Sequence, residues 1–377
     1  FGLPRPKYIL NPIFRDVAAR NLAFEQLEVD VIDSTIEIWE LKARGLPVGS
    51  YYKDPPYFLP SFGWGLFINF ARPPLNNPVI RRAIAYAVPA EEIGLSMPAP
   101  HAVAHPTMII HVFGAAAALI DEEVVARYGW TYNPQTAKKL LDEAGIIDRD
   151  GDGVRETPEG IRLGPWEVTC WVGFIEGMIA ADMIASSLRK IGIDAVAKYY
   201  DFAIWDGKII RGEFDMAFRW IFGWRPGYPW NVFRTMLDPR VTGPVGEPFP
   251  VGNWHRYMNQ EVIPFIDAIP RETDPEKVKY YYSKLQEYQL RDVVVVPLFY
   301  GMTGHAFSEK YWAGWPTSER PHGWIAALTI GGLHGAWPQL FGLVPAGEDV
   351  STSPLDTHIA PLIIKISAYW EELAKVR

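Results

Sequence analysis

One cysteine, Cys170, in 377 residues excludes an intramolecular disulfide and a cysteine-based zinc site. Cations are also few: 36 Lys and Arg face 44 Asp and Glu, for a net charge of −8, and no basic stripe runs along the chain. Phosphate neutralisation needs clustered cations, so nucleic acid is excluded as a partner. No apolar run is long enough to cross a bilayer. A nucleophile-elbow serine, a zinc-protease helix motif and a phosphate-cradling Gly-Lys-Ser/Thr loop are all missing, which removes the usual short signals of catalysis. The chain opens at Phe1 with no methionine, charged n-region or apolar h-region, and is expected to be a processed mature chain or a fragment. What is abundant is aromatic: 15 Trp, 18 Tyr and 19 Phe, beside 33 Pro and 32 Gly. Flat apolar faces with a polar handle suit ligand clefts and interfaces, though a Trp-rich core explains them as well.

Periodicity along the chain predicts strands alternating with helices. Residues 8–34 read as strand, helix, strand, with Tyr8, Ile9 and Leu10 in the first strand, a helix over 17–27, and Val29, Val31 and Ile32 in the second. A buried strand over 66–70 is stopped by Pro73 and Pro74. Asn77-Pro78 opens a helix over 79–88, and Asn133-Pro134 opens another that ends at Gly145. Strands are expected over 166–172, 195–199 and 216–221, and helices over 178–191 and 204–210. Two further helices, about 260–268 and 276–290, precede a doubly buried strand over 293–300. This is the alternation of an α/β protein. Ile359, Leu362, Ile363, Ile366, Trp370 and Leu373 share one face of a C-terminal helix. A docked helix fits that face better than a membrane-surface one, because Glu371 and Glu372 offset Lys365 and Lys375.

The wording of these elements is specific in combination. Asn77-Pro78-Val79-Ile80-Arg81-Arg82-Ala83-Ile84-Ala85-Tyr86-Ala87-Val88, Tyr132-Asn133-Pro134 through Ala137-Lys138-Lys139-Leu140-Leu141-Asp142-Glu143-Ala144-Gly145, Asp274-Pro275-Glu276, and Val294-Val295-Val296-Pro297-Leu298-Phe299-Tyr300 together resemble extracellular solute-binding protein family 5. These are the dipeptide- and oligopeptide-binding proteins of ABC importers, and the resemblance runs from Pro6 to about Trp315. It implies a two-lobe, periplasmic-binding-protein-like α/β fold with hinge crossings near Ala87-Val88 and Tyr300-Thr303. The expected division is 1–87 as part of the first lobe, 88–303 as the second lobe, and 304–377 as the return to the first. Members carry a long N-terminal segment ahead of the strand near Tyr8, so the first lobe is expected to be incomplete here. By the same resemblance the partners are an ABC permease, an ATPase and the N-terminal part of the same protein. The place of work would be outside the cytoplasmic membrane, tethered to its outer face.

In peptide-binding members an aspartate in the loop after the strand matching 216–221 captures the peptide's α-amino group. Here that stretch reads Trp224-Arg225-Pro226-Gly227-Tyr228-Pro229-Trp230-Asn231-Val232-Phe233, with Tyr228 in the aspartate's place. A neutral phenol cannot give a buried ammonium its charge-assisted bond. Seven tryptophans lie between Trp166 and Trp254, and sugar rings ask for flat aromatic platforms with a few donors and acceptors. The ligand is therefore expected to be an oligosaccharide, held by Trp220, Trp224, Tyr228, Trp230 and Asn231, with Trp171, Glu176 and Trp64. The alternatives are a peptide receptor of the same family, and a glycoside hydrolase using Glu176, Asp206 or Glu213.

Asp148-Arg149-Asp150-Gly151-Asp152-Gly153 with Glu159 has the spacing of a twelve-residue calcium loop, making Asp148, Asp150, Asp152 and Glu159 candidate Ca²⁺ ligands. Pro158 and the strand after Gly160 make it an isolated loop with a structural role, and a turn bonded by its own Asp side chains is the other reading. His101, His105 and His111 are read as loop histidines, because Pro100 and Pro106 break any shared helix.

Overall fold

The computed structural model describes the chain except residues 1–2, 34–35, 56, 98–109, 111, 113–114, 222–228, 251, 304, 321–338 and 360–377. His101, His105, His111, Trp224, Tyr228 and most of the expected C-terminal helix lie outside the described residues. The chain divides into two compact units, 1–60 with 302–377, and 61–301.

The first unit opens with α1 (Val17–Glu25), β1 (Val31–Asp33), α2 (Ile38–Ala43) and β2 (Val48–Gly49). Asp16 caps α1 by accepting from the Ala19 amide at 2.8 Å. The strand expected at Tyr8 to Leu10 is not formed. An apolar triplet becomes a strand only when another strand supplies its hydrogen bonds, and Tyr8, Ile9 and Leu10 stand exposed instead.

The second unit holds β3 (Leu59–Ile68), α3 (Pro78–Ala87), α4 (Ala90–Leu95), α5 (Glu122–Tyr128), α6 (Pro134–Glu143), β4 (Trp166–Trp171), α7 (Ile175–Arg189), β5 (Ala195–Tyr200), α8 (Phe202–Arg211), β6 (Met216–Ile221), α9 (Trp230–Leu237), α10 (Ile263–Ala268), α11 (Pro275–Asp292) and β7 (Val295–Thr303). The chain then returns to the first unit in β8 (His305–Ser308), β9 (Trp312–Ala313) and β10 (Val344–Pro345). There β8 pairs antiparallel with both β1 and β2, over a core that includes Phe24, Ile38, Leu41, Phe58 and Ala306.

The second unit is built on one five-stranded sheet in the order β5-β4-β6-β3-β7. Strands β5, β4 and β6 run parallel, and β3 joins β6 antiparallel with Trp64 opposite Trp220 and Leu66 opposite Phe218. Alternation along the strands sends Leu66, Ile68, Val168, Met216 and Phe218 to a core shared with α3, α6 and α7. Phe67, Ala217 and Ile221 point to the other face, against Trp205, Phe233, Met236, Ile266, Tyr282 and Leu285. Two helical layers thus sandwich the sheet.

The first passage between units falls at Pro60 and Ser61, earlier than the Ala87-Val88 expected. The reason is packing: β3 is hydrogen-bonded to β6, and Ile80, Ala83, Ile84 and Ala87 of α3 are buried in the same core as β4 and α7. The second passage is at Gly301 and Met302.

The motif that carries the family resemblance is structural. Asn77 and Asn133 cap α3 and α6 by accepting from the Val79 and Thr136 amides. Arg82 donates to the Leu290 and Arg291 carbonyls at 2.8 and 3.2 Å, and Arg81 donates to that of Asp292 at 2.8 Å. These carbonyls end α11 without a partner inside the helix, and cations complement its negative pole.

Candidate ligand site

After β4 the chain turns through α7 to β5 on one side, while α8 carries it back across to β6 on the other side of β4. Connections leaving two parallel neighbours in opposite directions open a crevice at their carboxyl ends, where α/β proteins hold ligands. Trp171 is the last residue of β4, and Trp220 lies one residue from the end of β6. The fold therefore gathers at this crevice side chains that lie far apart in sequence.

Trp64, Trp171 and Trp220 form the centre. Their ring centroids are 6.4 Å (Trp64 to Trp171), 6.0 Å (Trp64 to Trp220) and 5.9 Å (Trp171 to Trp220) apart, and Trp220 meets each of the others nearly edge-on. Phe174 stacks on Trp171 at 4.4 Å and 6°, and Phe218 stacks on Trp64 at 5.0 Å and 11°. From α8, buried Trp205 packs on Trp171 at 4.7 Å. Phe202, 50% exposed, stands perpendicular to Trp171 at 5.6 Å and 83°. Trp171 and Trp220 are half-buried, so the cluster shows aromatic surface at its rim over a closed base.

Behind the rim lies a charge. The Arg219 guanidinium sits 3.9 Å from the Trp254 ring centroid, 4.4 Å from Trp220 and 5.1 Å from Trp205, and pairs with Asp206 at 3.0 Å. Burial pulls its pKa down to about 10, with Asp206 opposing the shift, so it stays protonated at neutral pH. Glu176 stands half-buried in the first turn of α7, where a carboxylate complements the helix pole.

The remaining expected ligand residues are placed elsewhere. Trp230 opens α9 and donates its indole N–H to the Ile266 carbonyl at 2.7 Å, which ties it to α10. Asn231 is exposed beside it. Phe174, Phe202 and Trp205 escaped the sequence reading. Their signal was the apolar residue just beyond each strand, at the two helix starts after β4 and β5.

The acidic loop brings one carboxylate oxygen from each of Asp148, Asp150, Asp152 and Glu156 within 4.8 Å of one another. The fourth carboxylate is thus Glu156, at the ninth position of the loop, and not Glu159 at the twelfth. Antiparallel bridges from Glu156 to Ile147 and to Arg162 fold the segment into a hairpin, and the turn closed by the Gly160 amide on Thr157 carries Glu159 away to its exposed tip. Asp148 accepts from the Gly151 and Gly153 amides, and Asp152 pairs with Arg162. The Val154 amide and Arg162 hold the Asp152 carboxyl below its ordinary value. An all-oxygen donor set of this kind fits a hard cation such as Ca²⁺.

A three-layer α/β unit with an aromatic crevice at its switch point is an architecture in which α/β proteins bind ligands. The chain belongs to the bacterial extracellular solute-binding proteins, family 5, whose model (described as the family 5 middle region) matches residues 1–243. No curated protein sequence matches it. Among solved structures it is similar to a periplasmic oligopeptide-binding protein of an oligopeptide ABC transporter from Thermotoga maritima, at 28% identity and a TM-score of 0.83, covering 91% of this chain and 63% of that one. The mannohexaose-bound structure of a Thermotoga maritima protein of the same description matches at 27% identity and a TM-score of 0.80, over 92% and 64% of the two chains. Oligopeptide-binding AppA from Bacillus subtilis, in complex with a nonapeptide, shares the fold at 14% identity and a TM-score of 0.65, over 82% and 57%. The chain thus spans less than two thirds of the length of each. Among the described residues no helix is long and apolar enough to cross a membrane.

Proposed function

We propose that the chain is part of the extracytoplasmic receptor of an ABC importer and binds an oligosaccharide of the manno type. The observation that carries this is the ring geometry at the crevice: Trp220 and Phe202 each stand nearly perpendicular to Trp171, at 79° and 83°, by the carboxyl ends of parallel strands. Pyranose rings bury apolar C–H faces against such planes, whereas a peptide asks for backbone pairing and capture of its terminal charge. The mannohexaose held by a structure 27% identical to this chain supports the same class of ligand. The receptor itself does no chemistry; ligand favours one conformation by its higher affinity for it, and a permease with its ATPase reads that conformation.

Two parts of this reading concern the rest of the molecule. The first unit carries exposed Tyr8, Leu10 and Ile13, and a groove of about 1070 Å³ lined partly by Tyr8, Val31, Trp312 and Leu343. Apolar surface of this kind supports completion of that unit by further chain of the same protein. The loop of Asp148, Asp150, Asp152 and Glu156 holds a structural Ca²⁺.

The experiment is a tryptophan fluorescence titration of the intact protein with manno-, cello- and xylo-oligosaccharides, alongside di- to pentapeptides. Saturable change with the manno series supports the reading. A response to peptides alone replaces it with a peptide receptor, and turnover of a chromogenic glycoside replaces it with a hydrolase.

A further inference from the structure

Arg219 is one of the most enclosed cations of the second unit, with a side chain 4% exposed. Three indoles surround it, from Trp205 on α8, Trp220 on β6 and Trp254 in the segment beyond α9. Its Nη1 donates to Asp206 Oδ1 at 3.0 Å, and its Nε is buried without a hydrogen-bond partner among the described residues. Among the described residues Asp206 is the carboxylate paired with this guanidinium, so the guanidinium fixes it. Asp206 is 34% exposed, and its Oδ2 has no hydrogen-bond partner among the described residues. On α8 Asp206 lies four residues after Phe202, which puts the free oxygen and the half-exposed ring on one helical face.

We propose that Asp206 is the hydroxyl acceptor of the aromatic crevice and Arg219 its positioning residue, so that a sugar ring resting on the corner of Trp171 and Phe202 donates a hydroxyl hydrogen to Asp206 Oδ2. The inference rests on the oligosaccharide reading and adds the polar half of the recognition. Aromatic planes bind any pyranose face and give little choice between sugars; a fixed carboxylate oxygen accepts only where a hydroxyl points at it. The pairing with Arg219 also selects the kind of ligand. A carboxylate already paired with a buried cation gains less from a peptide's ammonium, yet keeps an oxygen open to a neutral O–H.

The variant Asp206→Asn tests this directly, because the amide oxygen still accepts from Arg219 while an NH₂ donor replaces the free acceptor. In calorimetric titration of the intact protein with mannohexaose, at a temperature where the variant is folded, D206N is expected to bind about tenfold or more weakly, and its unfolding temperature to fall because Arg219 loses its counter-charge. Arg219→Lys, which loses the planar fork, is expected to weaken binding too, and the double variant to be no weaker than D206N alone. Asp206→Glu, which keeps the charge and displaces the oxygens by one methylene, carries the test if D206N does not fold; it is expected to lose affinity likewise. Wild-type binding matched within about threefold by the Asp206 variant overturns the assignment and leaves the oligosaccharide reading standing. A wild-type protein that ignores every sugar series overturns both.

Discussion

The indole of Trp171 packs face to face on the ring of Phe174, with centroids 4.4 Å apart and planes 6° from parallel. The strand end thereby fixes a platform through a residue three positions further on, just before α7 begins. Behind it the helix comes so close that Gly177 leaves no room for a side chain: a Cβ there would lie 2.3 Å from Cys170 Sγ and 2.6 Å from Phe174 Cδ1. The platform, the strand and the helix are one packed object.

Trp171→Ala removes the centre of that object. Loss of its half-buried ring and its aromatic contacts is expected to cost about 2 kcal/mol of ligand affinity, roughly thirtyfold. Trp230→Phe, which loses the bond to the Ile266 carbonyl, is expected to lower the unfolding temperature and leave affinity within about threefold. Titration calorimetry with mannohexaose separates the two, and equal losses of affinity would place Trp230 in the site.

Gly177→Ala forces the α7 backbone away from Cys170 and Phe174. Overpacking of this kind is expected to destabilise the protein by about 1–3 kcal/mol, read from denaturant unfolding, and to weaken sugar binding through the displaced Phe174. Cys170 itself is expected to be inert to thiol reagents in the native protein, since burial pushes its pKa up to about 12.

Acid sensitivity follows from two buried histidines. Burial lowers His255 from 6.5 to about 3 and His305 from 6.5 to about 4. Both are neutral in the native state at pH values where the unfolded chain already binds the protons, so stability is full above pH 6.5 and falls as the pH drops below it. Each contributes a slope of up to about 1.4 kcal/mol per pH unit between 6.5 and its native value. Urea unfolding from pH 7 to 4.5 checks this, and His255→Phe is expected to flatten the curve; an unchanged slope in that variant would assign the acid loss to other groups.

Calcium is expected to raise the unfolding temperature and EDTA to lower it, because an ion bound at a hundred times its dissociation constant stabilises by about 2.7 kcal/mol. Asp148→Asn and Glu156→Gln are expected to abolish the shift, while Glu159→Gln leaves it intact. A melting curve indifferent to both reagents would show that the loop is held by its own amide bonds and Arg162 alone.

Much of the fold is determined by short-range sequence. Asn77-Pro78 and Asn133-Pro134 start helices because a side-chain oxygen reaches an amide two or three residues on. Such signals act within a few residues and need no partner. Tyr8 to Leu10 carried an equally apolar signal and formed no strand, because a strand is completed only by another segment. The same limit governs the sites. The aromatic excess and the acidic spacing were legible, but Glu156 displaced Glu159 through bridges to Ile147 and Arg162. Trp64, Trp171 and Trp220 met because the sheet order β4-β6-β3 set their strands side by side. Composition and local period belong to the sequence alone; which distant side chains share a crevice is decided by strand order and the packing of two helical layers on the sheet.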